Sequence, residues 1–487
     1  MVTFWQQSFR KASSSTFLGN LLVVTDPPVK VAKVRARERV VVNVDSPAAR
    51  WIGSLAVLSM FCWLIVLLAR DHHHPNWEAA GRLAWSLTIL AAVALIARGI
   101  FLGRPVTAAH ASAAAIVLLA GLGARVLSFD VIGNFLIAGA GLALMWPTTA
   151  PPQPDALPRV WALVNATSGD PLAPFAMQAM KSYHFNADGT AAIAYRSRMG
   201  FAVVSGDPIG DETRFRELVA DFISMCHTWG WRIMVLGCSE RRLDLWGDPT
   251  VIGQSMMRVP IGYDVVIDVS SFDMVGRKYR NLRQAVQRTH NFGITTEIVG
   301  EQEIDDKLRA ELAEVLYASH SGARFERGFS MILDGALEGR YPGIRLIVAR
   351  DRSGRVQGFH RYAVAGAGSD VTLDVPWRRP GAPNGIDERL SVDMICESRA
   401  LGAQRVSLAF AAFPELFNAK NRGRIQKLFY ALIHLLDPLI ALESLYRYLR
   451  KFHSLGGRRY ALVSVQHILP ALFVLLSLEF MPRRRRL

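Results

Sequence analysis

A loop in the carboxyl-terminal third of the chain has the residue types of an anion-binding site. It follows the strand-like segment 371–375 and precedes a helix that we expect to begin at about Ile386. Unpaired N–H groups at a helix amino terminus attract anions together with the helix dipole, and arginine offers paired donors that match phosphate. The expected phosphate-binding residues are Arg378, Arg379, Asn384 and Gly385. The alternative is an ordinary βαβ unit whose basic loop is merely solvated.

A second basic segment, residues 276–290, has no acidic residue. Its apolar residues Val275, Tyr279, Leu282 and Val286 recur at helical spacing, which predicts one buried face. The cations expected on or beside the opposite face are Arg277, Lys278, Arg280 and Arg283. A solvated helix face normally mixes both signs of charge, so we favour a surface that binds a polyanion, with plain solvation as the alternative.

The elements that must position these residues follow from periodicity. Val371, Leu373 and Val375 alternate with polar neighbours and predict a strand with one buried face, and 406–410 alternates in the same way. Residues 192–195 and 201–204 read as paired strands, 212–229 as a helix and 231–236 as the next strand. Both stretches therefore run strand, glycine-bearing loop, helix, strand, which predicts an internal duplication of architecture.

Composition limits the class of protein. The 487 residues carry a net charge of +15, and 51% of them are hydrophobic. With a mean hydropathy of +0.20, the chain is more apolar than a purely soluble protein, and its charge indicates an anionic partner: nucleic acid, an acidic lipid surface, or both. The four cysteines show no paired metal-ligand spacing, so we expect reduced thiols and no metal site.

Apolar stretches near the amino terminus predict a membrane protein. A basic arm, residues 1–50, which we expect to be cytoplasmic, precedes about four membrane spans within residues 51–146. The four expected spans are 51–69, 83–97, 106–124 and 126–146. Eight Lys and Arg residues precede the first span, so the positive-inside rule places the amino terminus in the cytoplasm. With an even number of spans, the region after residue 146 is cytoplasmic as well. A proline-rich linker, 147–158, follows.

The carboxyl-terminal end permits two parses. One is a helix through Tyr448, a strand at 460–465 and a short apolar helix; the other is a fifth span at 461–480. Gln466, His467 and Pro470 interrupt the apolar run, so we prefer the first parse. The basic tail, 483–487, suits an anionic inner leaflet under either parse.

An ordered set of sequence motifs narrows the family. It includes YRSRMGFAVVSGDPIG, GRKYRNLRQAVQR, APNGIDERLSVDMI and LESLYRYLRKF, between about residues 160 and 480. Together they resemble the carboxyl-terminal domain of the aminoacyl-phosphatidylglycerol synthases, the multiple peptide resistance factor family, with actinobacterial lysylphosphatidylglycerol synthases most similar. The resemblance implies an α+β fold in which transmembrane helices precede two tandem GNAT-type acyltransferase folds. We expect these at 159–300, which includes the basic helix, and at 301–482, which is catalytic.

The resemblance also implies site residues. Asp374 and Lys451 match catalytic positions, and Glu443 and Tyr446 match supporting ones. A lysine beside the reacting ester would balance the oxyanion that forms as a lipid hydroxyl attacks. We expect Asp374 and Lys451 to lie close together, at the mouth of a cleft. At the position where the family has an arginine after this aspartate, the chain has Trp377.

The implied activity moves an amino acid from aminoacyl-tRNA to phosphatidylglycerol, or to another anionic lipid, at the inner leaflet of the cell membrane. The donor is an activated ester, so no cofactor is expected, and a separate aminoacyl-tRNA synthetase must supply it. One alternative is a GNAT-type N-acyltransferase that uses acyl-CoA, although the loop lacks the usual Q/R-x-x-G-x-G/A spacing. Another is a non-catalytic membrane tether for RNA or anionic lipid.

Overall fold

The computed structural model describes residues 40–42, 47–71, 77–248, 252–253, 255–320, 332–412 and 442–479. The chain divides between Trp146 and Pro147 into two units, here called unit 1 and unit 2. Most of the predicted basic arm and the whole predicted basic tail lie outside the described residues.

The described part of unit 1 contains four apolar helices and a small strand pair. The helices are α1 (Pro47–Asp71), α2 (Trp77–Phe101), α3 (Ala108–Val126) and α4 (Asp130–Leu144), and the strands are β1 (Val40–Val42) and β2 (Val106–Thr107). Within the described residues, three helical segments are long and apolar enough to cross a membrane: Ala48–Ala69, Gly81–Phe101 and Ala108–Val126. The fourth predicted span is shorter than expected, because the chain turns after α3 and α4 has only 15 residues.

The twelve strands in the described part of unit 2 form one sheet. They are β3 (Ser182–Phe185), β4 (Ala191–Arg198), β5 (Phe201–Ser205), β6 (Ile209–Gly210), β7 (Arg232–Ser239), β8 (Met256–Asp268), β9 (Thr295–Gly300), β10 (Ile344–Arg350), β11 (Val356–Ala365), β12 (Asp370–Arg378), β13 (Arg405–Ala412) and β14 (Arg458–Ser464). Their order across the sheet is β3-β4-β5-β7-β14-β8-β13-β12-β11-β10-β9, and β6 pairs with β4.

Seven helices cover this sheet in the described part of unit 2. They are α5 (Leu157–Ala166), α6 (Phe215–Thr228), α7 (Arg280–Asn291), α8 (Asp306–His320), α9 (Ile386–Ala400), α10 (Leu442–Leu449) and α11 (Ile468–Glu479). The predicted helix start at Ile386 is confirmed. The preferred parse of the carboxyl-terminal end is also confirmed, since a strand and then a short helix follow α10.

The predicted duplication is present in the sheet. Strand β5 pairs in parallel with β7, and α6 is the helix between them in sequence. Strand β12 pairs in parallel with β13, and α9 connects them. Each of the two repeats is thus a strand, a loop, a helix and a parallel strand. This arrangement needs a crossover helix, because two parallel strands cannot be joined by a tight turn.

The two halves of unit 2 interlock, so the expected boundary at residue 300 does not separate them. The last strand, β14, lies between β7 and β8, although it comes from the end of the chain. The basic helix α7 and most of strand β9 precede residue 300 but lie with the second half. Residues of α7 pack in the same hydrophobic core as residues of α9, and β9 pairs with β10.

A buried arginine fixes β14 at the centre of the sheet. The Arg459 guanidinium contacts three carboxylates, those of Asp170 at 2.6 Å, Asp264 at 2.8 Å and Asp207 at 3.3 Å. Burial raises the pKa of Asp264 to about 6, although the charge of Arg459 acts in the opposite direction. The three carboxylates come from different parts of the chain, so this cluster joins segments that are distant in sequence.

Around β11 and β12, the two faces of the sheet are covered by different helices. Tyr362 and Leu373 face a core formed with α7, α9 and α10. Phe359 and Trp377 face the opposite way, into a core that includes residues of α8. This separation decides which of the predicted site residues can meet.

Candidate active site

The basic segment predicted at residues 276–290 is a 3-10 turn, Arg277–Tyr279, followed by α7. Tyr279, Leu282 and Val286 are buried, as the helical period predicts. Val275 is 71% exposed, so its place on the predicted buried face is wrong, because the chain becomes helical only at Arg277. The cations are exposed, and no acidic side chain in the described part of the chain forms an ion pair with them; they are Arg277, Lys278, Arg280, Arg283 and Arg288. They therefore form a surface that is cationic without local neutralisation.

One of these cations also has a local structural contact. Arg283 donates a hydrogen bond from Nη1 to the carbonyl of Gly276 at 2.8 Å and another to the carbonyl of Met274. It thereby holds the loop that precedes the 3-10 turn. Arg277, Lys278 and Arg280 are the three predicted cations that remain for contact with a ligand.

Gly385 brings the start of α9 against the basic helix. Its φ of 104° lies in the left-handed region, and a Cβ at this position would lie 2.6 Å from the Ala285 carbonyl oxygen. Only glycine allows this approach, because any side chain would collide with the backbone of α7. The structure therefore gives Gly385 a packing role, while the neighbouring Asn384 is exposed.

The predicted pair of phosphate-binding arginines does not form, because the two side chains have different surroundings. Arg379 is buried; it donates to the Val356 carbonyl at 2.7 Å and to Glu314 at 2.8 Å. Arg378 is half-exposed, and it lies 3.3 Å from the Asp387 carboxylate. The expectation for Arg379 is thus wrong, since its guanidinium already binds protein groups on the α8 side.

The first turn of α9 is acidic, which also argues against a phosphate at this helix end. Asp387 and Glu388 occupy the turn. Carboxylates near a helix amino terminus satisfy the dipole that would otherwise attract an external anion. The cations around this turn are consequently paired with protein carboxylates, and the exposed cations of the basic segment are better placed for phosphate.

A buried polar network lies beneath the same turn. The His360 ring lies 3.2 Å from Asp387 and 3.5 Å from the Tyr362 hydroxyl. That hydroxyl is 3.3 Å from the hydroxyl of Ser391, which in turn contacts the Tyr448 hydroxyl. Burial would raise the pKa of Asp387, but the hydrogen bond from His360 and the charges of His360, Arg378 and Lys451 outweigh it and hold the pKa below its ordinary value.

This network was not predicted from the sequence. His360 and Tyr362 are two residues apart on β11, so they share one face of the sheet, and Asp387 and Ser391 are four apart on α9, so they share one face of the helix. These two spacings were visible in the sequence. The packing of α9 against β11, which brings the pairs together, was not.

Lys451 lies beside this network. Its ammonium forms an ion pair with Glu388, and its side chain is 36% exposed, whereas that of Glu388 is 8% exposed. The amine thus has a buried carboxylate on one side and solvent access on the other. Tyr446 is buried in the adjoining core, and the side chain of Glu443 lies outside the described residues.

The turn that carries Lys451 also contacts the basic segment. The His453 ring donates to the Lys278 carbonyl at 2.8 Å, and it lies edge-on to the Tyr279 ring with 5.6 Å between the ring centroids. Three distant stretches therefore meet here: the basic segment, the start of α9 and the 3-10 turn Arg450–Phe452. We call this region the candidate site.

Asp374 is not part of the candidate site, so the predicted proximity of Asp374 and Lys451 is wrong. The Asp374 carboxylate is fully buried and accepts hydrogen bonds from Arg361 Nη1 and from the Leu333 N–H, each at 2.9 Å. Arg361 alternates with His360 and Tyr362 along β11 and so points to the opposite face of the sheet. Lys451 is on the α9 side. An enclosed carboxylate on the other face has a structural role.

The predicted strand with one buried face is also corrected here. The register between β11 and β12 shifts between Arg361 and Tyr362, which lie opposite Val375 and Leu373. Because of this bulge, Leu373 packs on the α9 side whereas Val375 packs on the α8 side. Trp377 is buried there against Phe359, with 4.9 Å between the ring centroids. An apolar side chain thus occupies the position three residues after Asp374, where the family resemblance led us to expect arginine.

Comparison with solved structures defines the fold class. The structure of L-PGS from Bacillus licheniformis matches with a TM-score of 0.58 at 18% identity, over 68% of this chain and 98% of that one. The carboxyl-terminal domain of a putative lysylphosphatidylglycerol synthetase from Agrobacterium fabrum matches with a TM-score of 0.56 at 22% identity, over 68% and 98%. The predicted α+β class is confirmed: apolar amino-terminal helices precede a region with the fold of L-PGS, which contains two strand–loop–helix–strand repeats.

Sequence comparison shows the family. A family model described as phosphatidylglycerol lysyltransferase, C-terminal, matches residues 161–463, and the chain belongs to this family. It is 69% identical over 457 residues to the MprF-like domain protein Rv1619 of Mycobacterium tuberculosis, which covers 94% of each chain. It is 32% identical over 305 residues to the lysylphosphatidylglycerol biosynthesis bifunctional protein LysX of Mycobacterium avium, over 62% of this chain but only 25% of that one.

Proposed function

We propose that this protein transfers an amino acid from aminoacyl-tRNA to phosphatidylglycerol, or to a related anionic lipid, at the inner surface of the cell membrane. The observation that carries the proposal is the cationic surface of Arg277, Lys278 and Arg280 beside the turn of Lys451, in a chain of the phosphatidylglycerol lysyltransferase family. A tRNA needs several unneutralised cations for its phosphates, and the reacting ester needs a positive group close to them.

The reaction exchanges one ester for another. The lipid hydroxyl oxygen attacks the carbonyl carbon of the aminoacyl ester, and a new carbon–oxygen bond to the lipid forms. The bond from that carbon to the ribose oxygen of the tRNA then breaks, and the proton of the lipid hydroxyl ends on the released ribose hydroxyl. No oxidant, nucleotide or metal is needed for this balance, and the enzyme chiefly supplies proximity between the two substrates.

Lys451 is the residue we assign to the reacting carbonyl. Its partly exposed ammonium donates a hydrogen bond to the oxygen that becomes negative in the tetrahedral intermediate, which lowers the barrier. Glu388, buried at the base of α9, orients the ammonium through their ion pair. The Asp387–His360 pair holds the first turn of α9 from beneath, since His360 is fully buried and reaches only protein groups.

We also propose a membrane topology in which both termini lie in the cytoplasm. Eight Lys and Arg residues before the first span favour an amino terminus inside, and aminoacyl-tRNA is a cytosolic substrate. Both conditions hold if α4 crosses as a fourth span. Its 15 residues cover roughly 22 Å at about 1.5 Å per residue, so the bilayer must thin around it. A reporter fused after residue 487 should be active in its cytoplasmic form; activity restricted to the periplasmic form would contradict this topology.

The transfer itself is tested in cells and with purified protein. Lipids extracted from cells with and without the gene are compared by mass spectrometry for aminoacylated phosphatidylglycerol, which should appear only with the gene. The full-length chain in phosphatidylglycerol nanodiscs is then supplied with aminoacyl-tRNA made by a separate synthetase, or with acyl-CoA. Product from acyl-CoA alone would favour the N-acyltransferase alternative. No product from either donor, together with retained tRNA binding, would favour a membrane tether.

A further inference from the structure

The last helix of unit 2, α11, is apolar on both its inner and its outer face. Residues 468–478 contain no charged side chain. Ala471, Val474 and Leu478 are buried against the sheet, where they contact a core that includes Phe201 and Met234. This inner face is what a helix that covers a sheet requires.

The outer face departs from what a soluble surface requires. Four large apolar side chains point outward at spacings of three and four residues, with exposed fractions of 78%, 47%, 59% and 40% for Leu469, Leu472, Phe473 and Leu476. A helix at the surface of a soluble domain normally has a polar outer face, and a contiguous apolar stripe of this kind marks a contact with another apolar phase. We call these four residues the α11 stripe.

We propose that the α11 stripe docks unit 2 on the surface of an anionic bilayer, as an interfacial helix separate from the spanning helices of unit 1. The 12 residues of α11 extend about 18 Å, which is too short to cross a hydrocarbon core of about 30 Å, and one side is already buried against the sheet. The helix can therefore insert only its outer face, to the depth of the headgroups and the first acyl carbons.

Charge complementarity identifies the occupant. The sequence after α11 continues FMPRRRRL, with four consecutive arginines from Arg483 to Arg486. An apolar helix face followed by clustered arginines is the combination that binds acidic membranes, since each cation near such a surface adds electrostatic attraction. A second copy of the chain offers no such complementarity at this position, because a +15 protein repels its own basic tail.

The rest of unit 2 supports an interfacial position for α11. Arg198 donates from Nη1 to the Ser477 carbonyl at 3.2 Å, which fixes the last turn of the helix to β4. The helix is thus packed on the sheet and bonded to it, so docking it would orient the whole unit on the bilayer. Docking through the α11 stripe does not depend on the transfer reaction.

The test uses the full-length chain in nanodiscs with an environment-sensitive fluorophore on a single cysteine. Cys62 and Cys396 are exposed and are first replaced by serine, whereas Cys226 and Cys238 are buried and stay. The fluorophore is placed at Phe473→Cys on the stripe. The matched control is Ser224→Cys on α6, which is also exposed but lies on the opposite face of the sheet. Nanodiscs of phosphatidylcholine with and without phosphatidylglycerol carry a nitroxide quencher on the acyl chain.

The expected result is a blue-shifted emission at position 473, quenched by the lipid nitroxide at least about twofold more strongly than at position 224, and only with phosphatidylglycerol present. Replacing Arg483–Arg486 by glutamine should abolish the dependence on phosphatidylglycerol. A label at 473 that aqueous iodide quenches as well as the control would overturn the proposal. So would a label shielded from both iodide and lipid, which means a protein covers the stripe, or lipid quenching that is equal without phosphatidylglycerol.

Discussion

Replacing Asp374 tests the role that the structure gives this residue. Its carboxylate, Arg361 and Glu301 form a fully buried charged cluster, in which Arg361 bonds Asp374 and Glu301 at 2.9 Å each. Alanine at position 374 removes one carboxylate and leaves the Leu333 N–H without its acceptor. Removing one partner of a buried ion pair typically costs about 3–5 kcal/mol. At about 2 °C or more per kcal/mol, the melting temperature should fall by roughly 6 °C or more.

Asparagine at position 374 should cost less than alanine, and by an amount that depends on pH. Burial raises the pKa of Asp374 to about 6, although Arg361 acts against this. The folded chain therefore holds a proton that the unfolded chain releases near pH 4, so the stability from this group is present at low pH and is lost as the pH rises towards 6. Between pH 5 and 7 this amounts to about 1 kcal/mol. The advantage of the wild-type chain over Asp374→Asn should shrink accordingly.

The assay is thermal unfolding of the full-length protein in nanodiscs, followed by tryptophan fluorescence at pH 5 and pH 7. Asp221→Asn is the matched control, because Asp221 is exposed on α6 and its amide should leave the melting temperature within about 1 °C. A melting temperature of Asp374→Ala equal to that of the wild type would refute the structural role of Asp374. A wild-type advantage over asparagine that grows from pH 5 to pH 7 would refute the sign of the pKa shift.

Three further predictions concern the candidate site. Lys451→Ala should reduce lipid aminoacylation by a factor on the order of 10²–10³, with tRNA binding little changed. The control Lys307→Ala, at an exposed lysine, should retain activity. Full transfer by Lys451→Ala would contradict the role assigned to Lys451. In the basic segment, the cations Arg277, Lys278 and Arg280 are replaced together by glutamine. The magnitude of the slope of log affinity for tRNA against log salt concentration should then fall by roughly one unit for each lost phosphate contact. The control Arg216→Gln on α6 should leave this slope unchanged. Gly385→Ala should destabilise unit 2 by about 1–3 kcal/mol in thermal unfolding, because its Cβ meets the Ala285 carbonyl, and a melting temperature equal to that of the wild type would contradict the packing role.

Local patterns determined the elements and the family from sequence alone. The alternation around Val406, the helix start at Ile386 and the apolar face of α7 depend on residues within two turns or a few strand positions of one another. Their physical causes are local, since side-chain period, backbone preference and loop chemistry act within a segment. The ordered motifs identified the family for the same reason, as they are read along the chain.

The composition of the candidate site was decided only by tertiary structure. Asp374 and Lys451 both matched catalytic positions, but which face of the sheet each reaches depends on where the 3-10 turn of Lys451 docks, and that turn lies 77 residues later in the sequence. Arg379, which follows β12, was unavailable for phosphate because its guanidinium binds Glu314 on α8. His360 gained its partner Asp387 only when α9 packed on β11. Contacts of this kind join residues that are distant in the chain, and packing and charge pairing select them only after the local elements have formed.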